Sequence, residues 1–172
     1  MKVIIFASGS GSTFQYLVDN RRGFDVIALF CNRKNVKVID RAIEAGIPVY
    51  YVDKEGKWKS ELEKLSPDHI LLAGYLGIVP EDVVDRFPRR ILNIHPSLLP
   101  KFSGKGYYGE HVHRAVLEAG EKESGCTLHL VDGGIDTGEI LAQEKVPVYP
   151  EDTPETLAER VQAVEKPLYL KG

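Results

Sequence analysis

Asn93 and His95 are the side chains best placed to do chemistry. They sit two residues apart where a short strand, Arg89 to Ile94, gives way to Pro96-Ser97-Leu98-Leu99-Pro100-Lys101. An imidazole exchanges a proton near neutral pH, and a carboxamide both donates and accepts hydrogen bonds. Pro96 and Pro100 each lack a backbone donor and bias the preceding residue toward extended geometry, so the strand cannot simply continue. Side chains two apart on a strand share a face, so Asn93 and His95 project together. A buried polar pair with its hydrogen bonds satisfied inside the protein would give the same local pattern.

Three other groups bear on chemistry. Gly9-Ser10-Gly11-Ser12 precedes a helical pattern and offers free backbone N–H groups at the positive end of a helix dipole, which suits a phosphate. It lacks the Lys-Ser/Thr ending of a triphosphate loop. It also lacks the third glycine of a dinucleotide fingerprint, with Phe14 there instead, and the next apolar run ends in Cys31-Asn32-Arg33 rather than an acid. A monophosphate site fits best, a structural glycine turn being the alternative. Asp132 and Asp136 lie in Asp132-Gly133-Gly134-Ile135-Asp136-Thr137-Gly138 and form either a carboxylate pair or two solvated turn acids, which spacing alone does not decide. His111 and His113 point to different faces of a helix, so they are not expected to share a metal, and none is expected. His69 and His129 read as packing or hydrogen-bonded strand residues.

The elements that must position these groups alternate. Val3 to Ala7 reads as a buried strand, and Phe14, Leu17 and Val18 as a helix reaching about Arg22. Val26 to Phe30 is a second strand, followed by a helix from Val36 to Ala45 with Val36, Ile39 and Ile43 on one face. Pro48 to Val52, a helix on Trp58, Leu62 and Leu65, and Asp68 to Ala73 follow. Pro80 to Phe87 is a short helix before the strand that delivers Asn93 and His95. Such alternation predicts parallel strands joined by right-handed crossovers in a doubly wound sheet. Ligands bind beyond the carboxyl ends of such strands, where Ser8 to Thr13, Gly74 to Gly77 and Asn93 to Lys101 are expected to meet. Later, Glu110 to Ala119 is a helix on Val112, Ala115, Val116 and Ala119. Ser124 to Val131 is an alternating strand and Ile140 to Val148 another. A last helix starts at Thr153 with Pro154 first and buries Leu157, Val161 and Val164.

A chain of 172 residues, 43% hydrophobic and 27% charged, is long enough for one full core, so a single domain over 1–172 is expected. Its two cysteines, Cys31 and Cys126, match no zinc or redox spacing and suit a reducing compartment, by default the cytoplasm. Met1 to Ala7 is too brief for a signal peptide or membrane span. A net charge of −3 with basic and acidic residues intermixed argues against nucleic acid as a partner.

With Asp136-Thr137-Gly138 and the opening Ser8-Gly9-Ser10-Gly11-Ser12 beside it, Asn93-Ile94-His95-Pro96-Ser97-Leu98-Leu99-Pro100 resembles the folate-dependent formyltransferase family. The opening loop is similar to that of its phosphoribosylglycinamide branch, and the likeness runs from Met1 to about Leu170. The resemblance implies an α/β fold with a doubly wound, mostly parallel, Rossmann-like sheet and an antiparallel C-terminal extension. It implies formyl transfer from 10-formyltetrahydrofolate, a co-substrate, to the amine of 5'-phosphoribosylglycinamide in purine biosynthesis, by a monomer or homodimer. Asn93, His95 and Asp136 would be catalytic. Asn93 and a protonated His95 would donate to the oxyanion of a tetrahedral intermediate, while Asp136 would favour the charged imidazole and help move the proton. Gly11, Ser12 and Thr13 would hold the substrate phosphate, and Gln162 and Glu165 would contact the glycinamide. Leu76, Gly77, Ile78, Val79 and Asn93, with the loop Val131 to Asp136, would line the folate site. Hydrolysis of formyltetrahydrofolate, transfer to another amine, and a non-catalytic phosphosugar-binding module are the alternatives.

Overall fold

The computed structural model describes residues 1–104 and 106–171. In chain order the elements are β1 (Lys2–Ala7), α1 (Ser12–Asp19), β2 (Asp25–Cys31), α2 (Lys37–Glu44), β3 (Val49–Tyr51), α3 (Trp58–Leu65) and β4 (His69–Leu72). There follow α4 (Glu81–Arg86), β5 (Ile91–His95), α5 (Glu110–Glu118), β6 (Glu123–Leu130), β7 (Ile140–Pro147) and α6 (Pro154–Lys171). The strand order is β3-β2-β1-β4-β5-β6-β7, with β6 and β7 antiparallel. This is the α/β, mostly parallel sheet with an antiparallel C-terminal extension that the alternation and the resemblance led us to expect. The chain divides into two compact units, Met1–Leu92 and Asn93–Gly172, the boundary falling within β5.

In the first unit β1 is central, pairing in parallel with β2 on one side and β4 on the other. From Val3 to Ala7 it is buried throughout, as expected of an interior parallel strand covered on both faces. Phe6 stacks on Phe30 at 5.1 Å between ring centroids, Phe30 stacks on Tyr50 at 5.0 Å, and the rings of Trp58 and Tyr75 meet Phe6 edge-on. Each such pair adds about 0.5–1.5 kcal/mol beyond area burial.

Two helices of the first unit differ from the expectation drawn from the sequence. The first stops at Asp19, not Arg22: the Asn20 N–H makes the last helical bond, to the Tyr16 carbonyl, but Asn20 itself leaves helical geometry at φ −115° and ψ 31° while its side chain donates to that same carbonyl. In α2 the buried face carries Val38 and Ala42 rather than Val36, Ile39 and Ile43, and Ile43 is 66% exposed. The glycine loop sets this rotation: the Val38 N–H donates to the Gly9 carbonyl, and Gly11 lies directly against Val38.

In the second unit β6 is buried along its length after Glu123, not alternately, with α6 packed against it. The edge strand β7 does alternate. In α5, His113 joins Val112 and Val116 in the core while Ala119 is exposed. The start of α6 is fixed by Arg160, whose guanidinium donates to both Asp152 oxygens at 2.7 and 2.9 Å. This helix buries Leu157, Val161, Leu168 and Tyr169, leaving Val164 half-buried.

Candidate functional site

The second unit gathers polar side chains around the end of β5. His95, 3% exposed, presents Nδ1 to Asp136 Oδ2 at 3.3 Å, and its Nε2 lies 2.6 Å from the Phe102 carbonyl. A protonated His95 would therefore donate from both nitrogens. Asn93 reaches His129 on β6, with Nδ2 3.2 Å from Nε2, and His129 Nε2 lies 3.8 Å from Asp136 Oδ1. The four side chains form one run of contacts, from Asn93 through His129 and Asp136 to His95.

The tautomer of His129 follows from its partners. Its Nδ1 lies 3.0 Å from the Leu130 carbonyl, which can only accept, so Nδ1 carries the hydrogen. Burial holds the imidazole below its ordinary range, which keeps it neutral. Nε2 then accepts from the Asn93 amide, and this fixes which end of the carboxamide is the donor. Sequence reading left His129 as a packing or hydrogen-bonded residue; it is both, but its partner is a candidate catalytic group. The signal was not local, because the β5–β6 pairing that brings the two together joins residues 36 apart.

Structure also separates the two aspartates. Asp132 Oδ1 accepts from the Gly134 N–H and the Thr137 hydroxyl, and these bonds hold its carboxyl below the usual range. It is the turn acid. Asp136 has a side chain only 10% exposed, sits at φ +57°, and accepts from the Gly104 N–H while facing the imidazoles. The loop can turn this tightly because Gly138 passes so close to the Leu130 carbonyl that a Cβ there would run into it.

The Pro96–Lys101 segment is held from behind. Thr127 on β6 donates to the Ser97 carbonyl at 2.8 Å and accepts from the Leu99 N–H at 3.0 Å, and Gln143 on β7 donates to the Leu99 carbonyl at 3.0 Å. Neither Thr127 nor Gln143 was singled out from the sequence, where each reads as an ordinary strand polar residue. On α6, Gln162 is exposed, and burial pushes the half-buried Glu165 carboxyl up to about 7. Tyr169 accepts from the Ile94 N–H and ties this helix to β5. His113 is buried and neutral, pushed down to about 4 by burial and by His95.

In the first unit, Gly11 caps α1 at φ +78° without a side-chain hydrogen bond, leaving first-turn N–H groups for a ligand. Ser12 and Thr13 open the helix and are half-buried. After β4, Leu76 and Ile78 are 49% and 77% exposed, whereas the Val79 side chain belongs to the core, so only its backbone can face a ligand. Gly77 lies against the Tyr75 ring. Among the described residues no cluster of His, Cys, Asp or Glu is arranged to hold a metal ion, and no helix is long and apolar enough to cross a membrane.

The family described as Formyl transferase matches residues 1–172. A chloroplastic phosphoribosylglycinamide formyltransferase of Arabidopsis thaliana is 44% identical over 99% of this chain and 63% of that protein. The trifunctional purine biosynthetic protein adenosine-3 of Drosophila melanogaster is 37% identical over 95% of this chain and 13% of its own length. The chain thus spans about three-fifths of the plant relative and a small part of the fly protein. Among solved structures, phosphoribosylglycinamide formyltransferase from Anaplasma phagocytophilum superposes with a TM-score of 0.90 at 34% identity, covering 99% of this chain and 84% of that one. The enzyme from Brucella melitensis gives 0.86 at 39% identity, covering 98% and 91%.

Proposed function

Since the chain belongs to the formyl transferase family, we propose that it transfers the formyl group of 10-formyltetrahydrofolate to the amine of 5'-phosphoribosylglycinamide, a step of purine biosynthesis. It would act as one formyltransferase domain over 1–172, the span of the family match, as a monomer or homodimer. The observation that carries this reading is the run of contacts from Asn93 through His129 and Asp136 to His95, which holds an amide donor and an imidazole in fixed orientations.

As the substrate amine adds to the formyl carbon, the formyl oxygen gains negative charge. Asn93 has a second Nδ2 hydrogen, beyond the one given to His129, to donate to that oxygen. His95 supplies a charged donor when it redirects Nε2–H from the neutral Phe102 carbonyl to the oxyanion. Charge-assisted bonds are about twice as strong as neutral ones, which favours the exchange. Asp136 stabilises the imidazolium through Nδ1. Directly or through water, it accepts the proton leaving the attacking nitrogen and returns it to the departing folate nitrogen. Gly11, Ser12 and Thr13 present backbone N–H groups to the phosphate. Gln162 and Glu165 hold the glycinamide, with Glu165 ionised to meet its amine. The exposed apolar side chains of Leu76 and Ile78 suit a flat pterin ring, with the backbone of Gly77 and Val79 supplying polar contacts to its edge. The two cysteines are buried and free, in keeping with a reducing compartment, and we place the reaction in the cytoplasm.

His95→Ala and Asp136→Asn test the roles. Each is expected to lower turnover by roughly 10² or more with the thermal unfolding profile retained. Near wild-type transfer by either purified variant would remove that residue from the chemistry.

A further inference from the structure

Ser8 is fully buried where β1 runs into the glycine loop. Its hydroxyl donates to Asn32 Oδ1 at 2.6 Å and accepts from the Leu76 N–H at 2.8 Å. Asn32 immediately follows β2, and Leu76 lies in the loop after β4, the two strands that flank β1. One hydroxyl therefore joins the carboxyl ends of three neighbouring strands. Its single hydrogen is already given away, so Ser8 has no donor left for a phosphate.

The Leu76 bond lies where the sheet no longer holds the chain. The β1–β4 ladder ends with the Ala73 N–H donating to the Phe6 carbonyl at 2.8 Å. Beyond it the backbone turns at Gly74, φ +65°, and folds over the Tyr75 ring, against which Gly77 packs closely. The Leu76 N–H to Ser8 Oγ bond joins this loop to β1 again, and so fixes the direction in which Leu76 and Ile78 stand out from the surface. On the other side the glycine loop is held by α2, through Val38 N–H to the Gly9 carbonyl and Arg41 Nε to the Ser10 carbonyl at 2.8 Å. Asn32 opens the connection that leads into that helix.

We propose that Ser8 is a positioning residue that sets the folate-facing loop, through Leu76, and the phosphate-facing loop, through Asn32, in fixed relation to each other. This rests on the function proposed above. Alanine would leave both a part-buried N–H and an amide oxygen without their partner.

Steady-state kinetics of the full chain test it. Ser8→Ala is expected to raise KM for both 10-formyltetrahydrofolate and glycinamide ribonucleotide about tenfold, with kcat within about threefold. Asn32→Ala keeps the bond to Leu76, so it should raise only the KM for the ribonucleotide. An unchanged folate KM in Ser8→Ala, or an equal rise in Asn32→Ala, overturns the proposal. Amide hydrogen exchange supplies a readout independent of turnover and of the variant's folding. The wild-type Leu76 amide should exchange slowly although its side chain is exposed, and Asn32→Ala should preserve that protection. Fast wild-type exchange at Leu76 refutes the assignment. A wild type without formyl transfer, but with Leu76 protected, would instead overturn the proposed reaction.

Discussion

Replacing Gly11 with alanine should damage both the fold and phosphate binding, and the structure gives the size of the first effect. Gly11 sits at φ +78°, where an L-residue with a Cβ costs about 1–2 kcal/mol. A Cβ there would also lie 2.6 Å from Val38 Cγ2, 2.7 Å from Cβ and 2.9 Å from Cα. Because the Cα is among these atoms and Val38 is fully buried, no side-chain rotation clears the space, and α2 or the loop must move. Overpacking of this kind costs about 1–3 kcal/mol. The total loss should be about 2–5 kcal/mol by urea denaturation. Displacing the first-turn N–H groups should weaken glycinamide ribonucleotide binding by tenfold or more in calorimetry. Gly9 is the control: nothing lies within 4 Å of the point a Cβ would occupy there, so Gly9→Ala should stay within about 0.5 kcal/mol. Val38→Ala removes only the Cγ2 contact, so combining it with Gly11→Ala should recover less than half of the loss. Stability of Gly11→Ala equal to that of Gly9→Ala, or intact ribonucleotide affinity, would remove Gly11 from both roles.

Two pH dependences follow from buried groups. His113 is held neutral down to about 4 against an ordinary 6.5, so the unfolded chain binds the proton more readily between those values. Stability should be intact above pH 6.5 and fall by roughly 3 kcal/mol as pH drops toward 4, at about 1.4 kcal/mol per unit. Denaturation of His113→Leu at pH 7 and 4.5 should show a shallower decline, and an identical slope would exonerate the imidazole. Glu165 keeps its proton up to about 7, so ribonucleotide binding should strengthen as pH rises through that value. Calorimetry between pH 6 and 8 on Glu165→Gln should lose that rise; retaining it would exclude Glu165 as the amine's partner.

The parts of this fold that were legible in the sequence are those governed by local pattern. Continuous apolar runs such as Val3 to Ala7 signal strands buried on both faces, and Phe14, Leu17 and Val18 at helical spacing signal the helix that follows the glycine loop. What covers a face was not legible. The apolar spacing of Val36, Ile39 and Ile43 suggests one stripe, yet contact with the glycine loop turns Val38 and Ala42 inward. Ser124 to Val131 suggests alternation, yet β6 is enclosed on both sides. The same limit applies to the candidate site. Asn93 and His95 could be paired from a period of two, but His129, Thr127 and Gln143 meet them or their loop only through strand pairing between distant segments. Asp136 could be chosen over Asp132 only through resemblance. The structure adds a physical distinction, because Asp132 is consumed by its own turn while Asp136 faces two imidazoles.

The proposed formyl transfer needs both substrates. The most direct measurement mixes the protein with 10-formyltetrahydrofolate and follows tetrahydrofolate release with and without glycinamide ribonucleotide. Release is expected only when the ribonucleotide is present, in equal amount to formylated product. Release at the same rate without it would mean hydrolysis, and no release in either case would mean a binding module.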